Sequence, residues 1–279
     1  MLRIPIHTAL ALIAFAANSI LCRLALSEEA IDPASFTSVR LMAGAATLYA
    51  LVRGHRGGSA PLKGSWPSSA MLALYAVPFS LAYVSLTAGT GALLLFGAVQ
   101  ATMLLASVGA GERPDAGQWI GVVLALAGLV YLLLPGLASP PLMAAMLMLL
   151  AGVAWGVYSL LGKGSADPLR ETAGNFVRAV PFAIAVSAVM LRDLHLELRG
   201  LVLAIASGAV ASGLGYVLWY AALRNLSGFT ASIVQLAGPV LAAAGGVLLL
   251  DERISLRLAV AATLVLGGIA LAIMGRSGR

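Results

Sequence analysis

The residues of this chain best suited to chemistry are neutral polar and aromatic ones set inside long apolar runs. Asn18, Ser80, Tyr83, Gln100, Trp155, Tyr158, Tyr216, Trp219, Tyr220 and Gln235 each fall inside such a run. Their chemistry is recognition. A buried amide needs a partner, so Gln100 and Gln235 are expected to face protein or water rather than lipid. Trp and Tyr offer a flat apolar face with a polar tip, which suits aromatic or aliphatic amino-acid side chains. The plainer reading of each ring is packing between helices, or the interfacial belt for Trp66 and Trp119.

Two cations lie well inside their runs, at corresponding places in the two halves: Arg40 and Arg178. An arginine at the centre of a membrane helix costs about 2.5–3.5 kcal/mol on insertion scales. Either these two bind a substrate carboxylate, or they tie helix ends together through carbonyls and loop acids. Their presence in both halves favours the structural role. Arg23, near the end of its run, can snorkel to the interface. Catalysis is poorly provided for. All eleven acids and the three histidines, His7, His55 and His195, fall at run ends or in connections. No base therefore reaches a Ser or Thr at depth. There is no His-Glu-x-x-His run, and no Gly-rich Lys-Ser/Thr loop for ATP. Cys22, alone of its kind, carries no disulfide or metal pattern. No enzymatic activity, metal or cofactor is expected.

These side chains must be positioned by membrane helices. The chain is 61% apolar and only 10% charged, far from the soluble average. Ten runs long enough to span a bilayer cover about 5–26, 33–52, 67–87, 91–110, 116–134, 140–161, 172–191, 199–223, 227–250 and 254–274. They are continuous rather than alternating, so helices are expected. Arg3 and the small residues Ala14-Phe15-Ala16-Ala17 resemble a cleavable signal. The run continues to Leu26, however, and has a counterpart at Leu147–Leu161; it reads as a span. The basic residues are scattered, which argues against nucleic acid.

The halves repeat. Glu112-Arg113 and Asp251-Glu252-Arg253 each close a long uncharged run, 140 residues apart, and the same offset pairs Gly128 with Gly268. Ser80–Leu86 aligns with Val217–Leu223. The junction is Leu134-Pro135-Gly136-Leu137-Ala138-Ser139-Pro140-Pro141. The single transmembrane domain 1–279 thus divides into 1–136 and 137–279. Five spans per copy is an odd number, so copies threaded in series are inverted, as in many secondary transporters. With the N-terminus inside, interior connections hold Arg3, Arg53, Arg56, Lys63, Arg113, Lys163, Arg170, Arg224, Arg276 and Arg279; exterior ones hold only Arg192, Arg199, Arg253 and Arg257. This bias places both termini in the cytoplasm.

Several residues together resemble the drug/metabolite transporter superfamily, in its ten-helix EamA-type branch. They are Ala154-Trp155-Gly156, Arg40, Arg178, Gly215–Leu223, Pro239 followed by Leu250-Asp251-Glu252-Arg253, and the glycine-rich last run. Within it the chain is most similar to YddG-like exporters of aromatic and other amino acids, which also export cationic dyes. The resemblance implies an all-α membrane protein of two inverted five-helix repeats in the cell inner membrane. It also implies alternating access around a cavity lined by spans one to four and six to nine, with five and ten outside. The first half departs from it, having Val99-Gln100 where a proline would match Pro239.

The expected function is secondary transport of amino acids or related small molecules, with export as the direction the resemblance implies. The alternative is efflux of drugs, nucleobases or other metabolites. With no intramembrane carboxylate or histidine, a proton relay is not expected, and the transporter reads as a facilitator. A membrane-embedded enzyme lacks its base, and an ion channel lacks charged rings or a carbonyl filter. Pro78, Pro181 and Pro239 mark bends. Gly89 and Gly91 are expected to permit a turn, and with Pro239 to act as hinges. Gly117-x-x-x-Gly121 and the spacing of Ala259, Thr263 and Gly267 suit close helix packing, within a monomer in the first place and otherwise across a homodimer of spans five and ten.

Overall fold

Polar caps start many of the helices. In the computed structural model, which describes residues 3–55, 61–111, 115–136, 139–162, 165–223 and 234–275, Asp32 accepts from the amides of Ala34 and Ser35. Ser65, Thr87 and Asp167 do the same for Ser68, Thr90 and Arg170. Asp115 and Gln118 exchange reciprocal bonds in a capping box. Each satisfies amides that a helix start leaves bare. Between caps the chain runs as α1 (Arg3–Ser27), α2 (Pro33–His55), α3 (Trp66–Tyr83), α4 (Ala88–Gly109), α5 (Ala116–Leu133), α6 (Leu142–Leu161) and α7 (Pro168–Val189). Next come α8 (Leu198–Ala206), a π-helical segment (Ser207–Leu214) and α9 (Gly215–Leu223), continuous with one another, then α10 (Ala237–Leu250) and α11 (Leu256–Gly275).

The described residues are all-helical apart from an isolated bridge between Ile31 and Leu196. Among the described residues, eight helical stretches are long and apolar enough to cross a membrane, with Ala237–Leu250 as a shorter apolar helix. Large apolar side chains stand bare on outer faces, Val123, Met143 and Leu248 among them, as lipid contact requires and water would penalise.

Packing follows a swap rule. α2 packs on α7, α4 on α10 and α5 on α11; α3 on α6 is matched by α1 on α9; α4 on α6 is matched by α1 on α10. Exchanging each helix for its counterpart in the other half returns each of these contacts. The outermost pair, α5 and α11, crosses where glycines let backbones touch. A Cβ on Gly128 would lie 3.0 Å from the Ala261 carbonyl, and one on Gly268 would strike the Gly121 carbonyl at 2.5 Å. Under the 140-residue offset, the contact 121–268 becomes 261–128. Ala259, Thr263 and Gly267 face outward instead, exposed.

One expectation needs correction. The chain turns over Val84–Thr87, ahead of Gly89 and Gly91, which lie inside the first turns of α4. Neither has a positive φ. They provide close approach: a Cβ on Gly89 would press on Ala243 of α10 at 2.9 Å, and one on Gly91 would meet the Tyr83 ring. Pro78 and Pro181, in turn, leave α3 and α7 unbroken. The helix ahead of Pro239 is interrupted at Leu236, where proline withholds a donor from the preceding turn. Glu112-Arg113, Leu137-Ala138, Lys163, Arg224–Gly228, the ends of the chain and the Tyr220 side chain lie outside the described residues.

Candidate functional site

A small cavity of about 20 Å³ lies where the two halves meet. α1 contributes Phe15, Asn18 and Ser19; α2 Arg40; α3 Tyr75 and Phe79; α4 Leu95 and Phe96. From the second half come Trp155 of α6, Ala211 and Ser212 of the π segment, and Tyr216 of α9. The rings lock one another edge to face. Phe15 meets Trp155, Tyr216 and Trp219 at 5.8–6.1 Å between centroids, and Phe96 meets Trp155 at 5.5 Å. Tyr75 stacks on Trp155, whose indole N–H donates to the Tyr216 hydroxyl at 3.0 Å. Edge-to-face pairs of this kind add about 0.5–1.5 kcal/mol each beyond burial, so the wall is stiff.

A polar seam crosses this wall. Ser207 donates to Asn18 Oδ1 at 2.6 Å, Asn18 Nδ2 donates to the Tyr75 hydroxyl at 3.3 Å, and Arg40 Nη2 donates to the same hydroxyl at 2.7 Å. Tyr75 oxygen thus accepts twice, and its own proton is left to donate. Arg40 is 3% exposed, its guanidinium lying 4.8 Å from the Phe79 ring centroid and 5.2 Å from that of Tyr75. Its Nε and Nη1 have no hydrogen-bond partner, and none of the lining side chains is acidic. An unsatisfied buried polar group costs about 1–3 kcal/mol and a charged one more, so this cation stands out.

The π segment sets the approach of α2. Gly208 lies against the Arg40 carbonyl so closely that a Cβ there would strike it, and a Cβ on Gly44 would lie 3.1 Å from the Gly208 carbonyl. π-helical turns recur at functional sites because they widen the helix and redirect side chains. Here the turn carries Ser207, Ala211 and Ser212.

Of the residues singled out from sequence, Asn18, Trp155, Tyr216 and Arg40 line the cavity. The others stand elsewhere. Ser80 is fully buried between α2 and α3, accepting from Thr37 and donating to the Ala76 carbonyl. Tyr83 donates to the Ala88 carbonyl at the α3–α4 turn. Tyr158 accepts from Asn175 of α7 at 3.5 Å. Trp219 packs on Phe15 behind the wall, and Gln100 and Gln235 are half-buried outside it. Arg178 donates to the carbonyls of Lys63 at 2.8 Å and Gly174 at 3.0 Å, tying α7 to the segment before α3. Missed from sequence were Phe15, Ser19, Tyr75, Phe79, Leu95, Phe96, Ala211 and Ser212. The repeat register carried a signal for two of them, since the 140-residue offset pairs Phe15 with Trp155. The Ser80–Val217 alignment likewise pairs Phe79 with Tyr216.

One mouth of the bundle is latched. Arg23 donates to the carbonyls of Tyr83 at 3.0 Å and Val84 at 2.8 Å and pairs with Glu252 at 3.4 Å. Glu252 also accepts from the Ala88 amide at the start of α4. Burial raises the Glu252 carboxyl above its ordinary range, outweighing that amide and Arg23, which lower it. The same end carries the Ile31–Leu196 bridge and the Arg199–Glu28 ion pair at 2.6 Å.

The EamA-like transporter family matches residues 142–274. A Pseudomonas aeruginosa protein, described as uncharacterised, is 53% identical over 98% of this chain and 95% of its own length. An uncharacterised transporter of Archaeoglobus fulgidus is 25% identical over 94% of each chain. The threonine/homoserine exporter RhtA of Salmonella typhimurium is 32% identical over 49% of this chain and 48% of its own. A protein crystal structure, 21% identical, superposes over 96% of this chain and 99% of its own with a TM-score of 0.65; that likeness concerns the fold.

Proposed function

The chain belongs to the EamA-like transporter family, and from that premise we propose that it carries amino acids or closely related small metabolites across the inner membrane by alternating access. The observation that carries the proposal is the swap rule in the packing: two halves of matched contacts enclose an aromatic-walled cavity at their junction. Helical rods of this kind make ten spans, and five per half inverts the second copy. Repeats 1–136 and 137–279 then rock about a shared site, the construction of many secondary transporters. The charge bias argues for cytoplasmic termini. The transporting unit is the monomer, because the glycine seam of α5 and α11 is closed within one chain.

A wall of Trp, Tyr and Phe with an amide and hydroxyls suits a small body with an apolar side chain. The relative named for threonine and homoserine export supports amino acids as the class and export as the direction. The wall holds no carboxylate or histidine, so flux runs down the substrate's own gradient. Counterflow in proteoliposomes with radiolabelled neutral amino acids, beside a cationic-dye efflux assay, tests this. Amino-acid exchange without ATP or a proton gradient is expected. Dye efflux with no amino-acid flux would discard the substrate class, and proton dependence abolished by one substitution would discard the facilitator.

A further inference from the structure

We infer that Arg40 is the carboxylate-recognition residue of the central cavity, so that the site takes small molecules carrying a carboxylate on an apolar body and rejects permanent cations. This rests on reading the cavity as the transport site. Arg40 is the buried arginine among the described residues. Other arginines at helix ends reach acids or carbonyls: Arg23 reaches Glu252, Arg170 reaches Asp167, Arg178 reaches the Lys63 carbonyl and Arg257 the Leu134 carbonyl. Arg40 lies over the Phe79 and Tyr75 rings and hydrogen-bonds only to a phenol oxygen, leaving Nε and Nη1 without acceptors.

A cation sealed from water retains its charge at a cost that an anion or several acceptors must offset. The wall supplies neither. What it supplies is a second donor, the Tyr75 hydroxyl proton, beside the guanidinium. Two donors and a positive charge with no acid nearby describe an anion site, and charge-assisted bonds to a carboxylate are the strong kind. The surrounding rings exclude strongly hydrated phosphate-like groups and receive an apolar body. A cationic dye would face the Arg40 charge with only ring faces, and no carboxylate, to compensate it.

The test compares acids with their amides. Purified protein in nanodiscs is titrated by tryptophan fluorescence, Trp155 being in the wall, with 3-phenylpropanoate and 3-phenylpropanamide, L-leucine and L-leucinamide, and methyl viologen. In the wild type each acid is expected to bind about tenfold or more tighter than its amide, as a lost charge-assisted contact predicts, and methyl viologen not to compete. Arg40→Gln should erase that ratio while changing amide affinity little, and Arg40→Lys should restore part of it. A structural role for Arg40 would lower acid and amide alike. Equal binding of acid and amide by the wild type overturns the inference without any variant, as does competition by methyl viologen or a ratio preserved in Arg40→Gln. Preference for 3-phenylpropanoate in a protein that transports no amino acid sustains the inference and sinks the amino-acid reading. Amino-acid transport with acid and amide bound alike does the reverse.

Discussion

Arg40 and Arg178 stand at corresponding places in two copies of one repeat, and the fold uses them differently. Arg178 is half-buried and gives its protons to two backbone carbonyls, closing α7 over the segment before α3. Arg40 is sealed among aromatic rings at the junction of the halves, with two of its nitrogens unpartnered. Matched contacts between helices therefore do not make matched chemistry. The matching belongs to the backbone packing; in the proposed mechanism both halves move, while a binding charge is needed once. Arg178 makes the carbonyl ties of a structural residue, whereas Arg40 meets a phenol oxygen and two rings.

Removing the two arginines in turn separates these roles, and the largest effect is expected there. Arg40→Gln should lower carboxylate exchange by about tenfold or more, with the protein still monodisperse. Arg178→Gln should leave the KM for exchange unchanged and cost about 0.5–1.5 kcal/mol of stability, the net worth of a hydrogen bond whose Lys63 carbonyl stays open to water, read as a lower Tm. Equal loss of exchange in both variants would show the halves to be functionally as well as structurally matched.

Much of this architecture was legible in the sequence because lipid constrains it. Apolar runs gave the helices, and the repeated acidic pair gave a register that reappears in the contact of Gly121 with Gly268 and of Gly128 with Ala261. The site was less legible. Tyr75, Phe79 and Phe96 look like ordinary packing residues until α3 and α4 are turned toward α6. Ser207–Leu214 reads as plain small-residue helix, and its π-helical turn, packed at Gly208 against the Arg40 carbonyl of α2, has no local signature. Gly89 and Gly91 suggested a turn on composition. Their actual constraint, contact with Ala243 and with the Tyr83 ring, is tertiary and invisible to a local reading.

The glycine seams show the same contrast in packing. Gly121→Val should force α5 off α11, costing about 1–3 kcal/mol as overpacking does, with exchange per folded molecule preserved because the seam is remote from the cavity. Gly208→Val acts at a seam of the same kind beside Arg40. It should cost comparable stability and also abolish the acid-over-amide preference, since it displaces the Arg40 backbone. Loss of that preference in both variants would argue that the outer pair of helices shapes the site.

The latch at the Arg23 mouth is the smaller lever. Cys22, adjacent to Arg23 and fully buried, reports its opening through its rate of reaction with a membrane-impermeant maleimide. Arg23→Gln removes the ties to Tyr83, Val84 and Glu252 and should raise that rate severalfold. Losing a nearby cation disfavours a thiolate, so a faster rate can report only opening.

Glu252 should act in the opposite sense to an ordinary ion-pair acid. Burial holds its carboxyl above the ordinary range despite the Ala88 amide and Arg23, so the latched arrangement binds a proton more readily than an opened, hydrated Glu252 would. Closure then gains as pH falls through the raised value toward about 4.3, the unperturbed glutamate value, and weakens as pH rises through it. Glu252→Gln, neutral at every pH and still able to accept from Ala88, should label no faster than wild type at neutral pH. The wild-type to Glu252→Gln rate ratio should fall toward one on acidification, cancelling the intrinsic pH dependence of the thiol. A Glu252→Gln protein that labels faster at neutral pH would mean that the pull of Arg23 outweighs burial, and that acid opens this mouth instead of closing it.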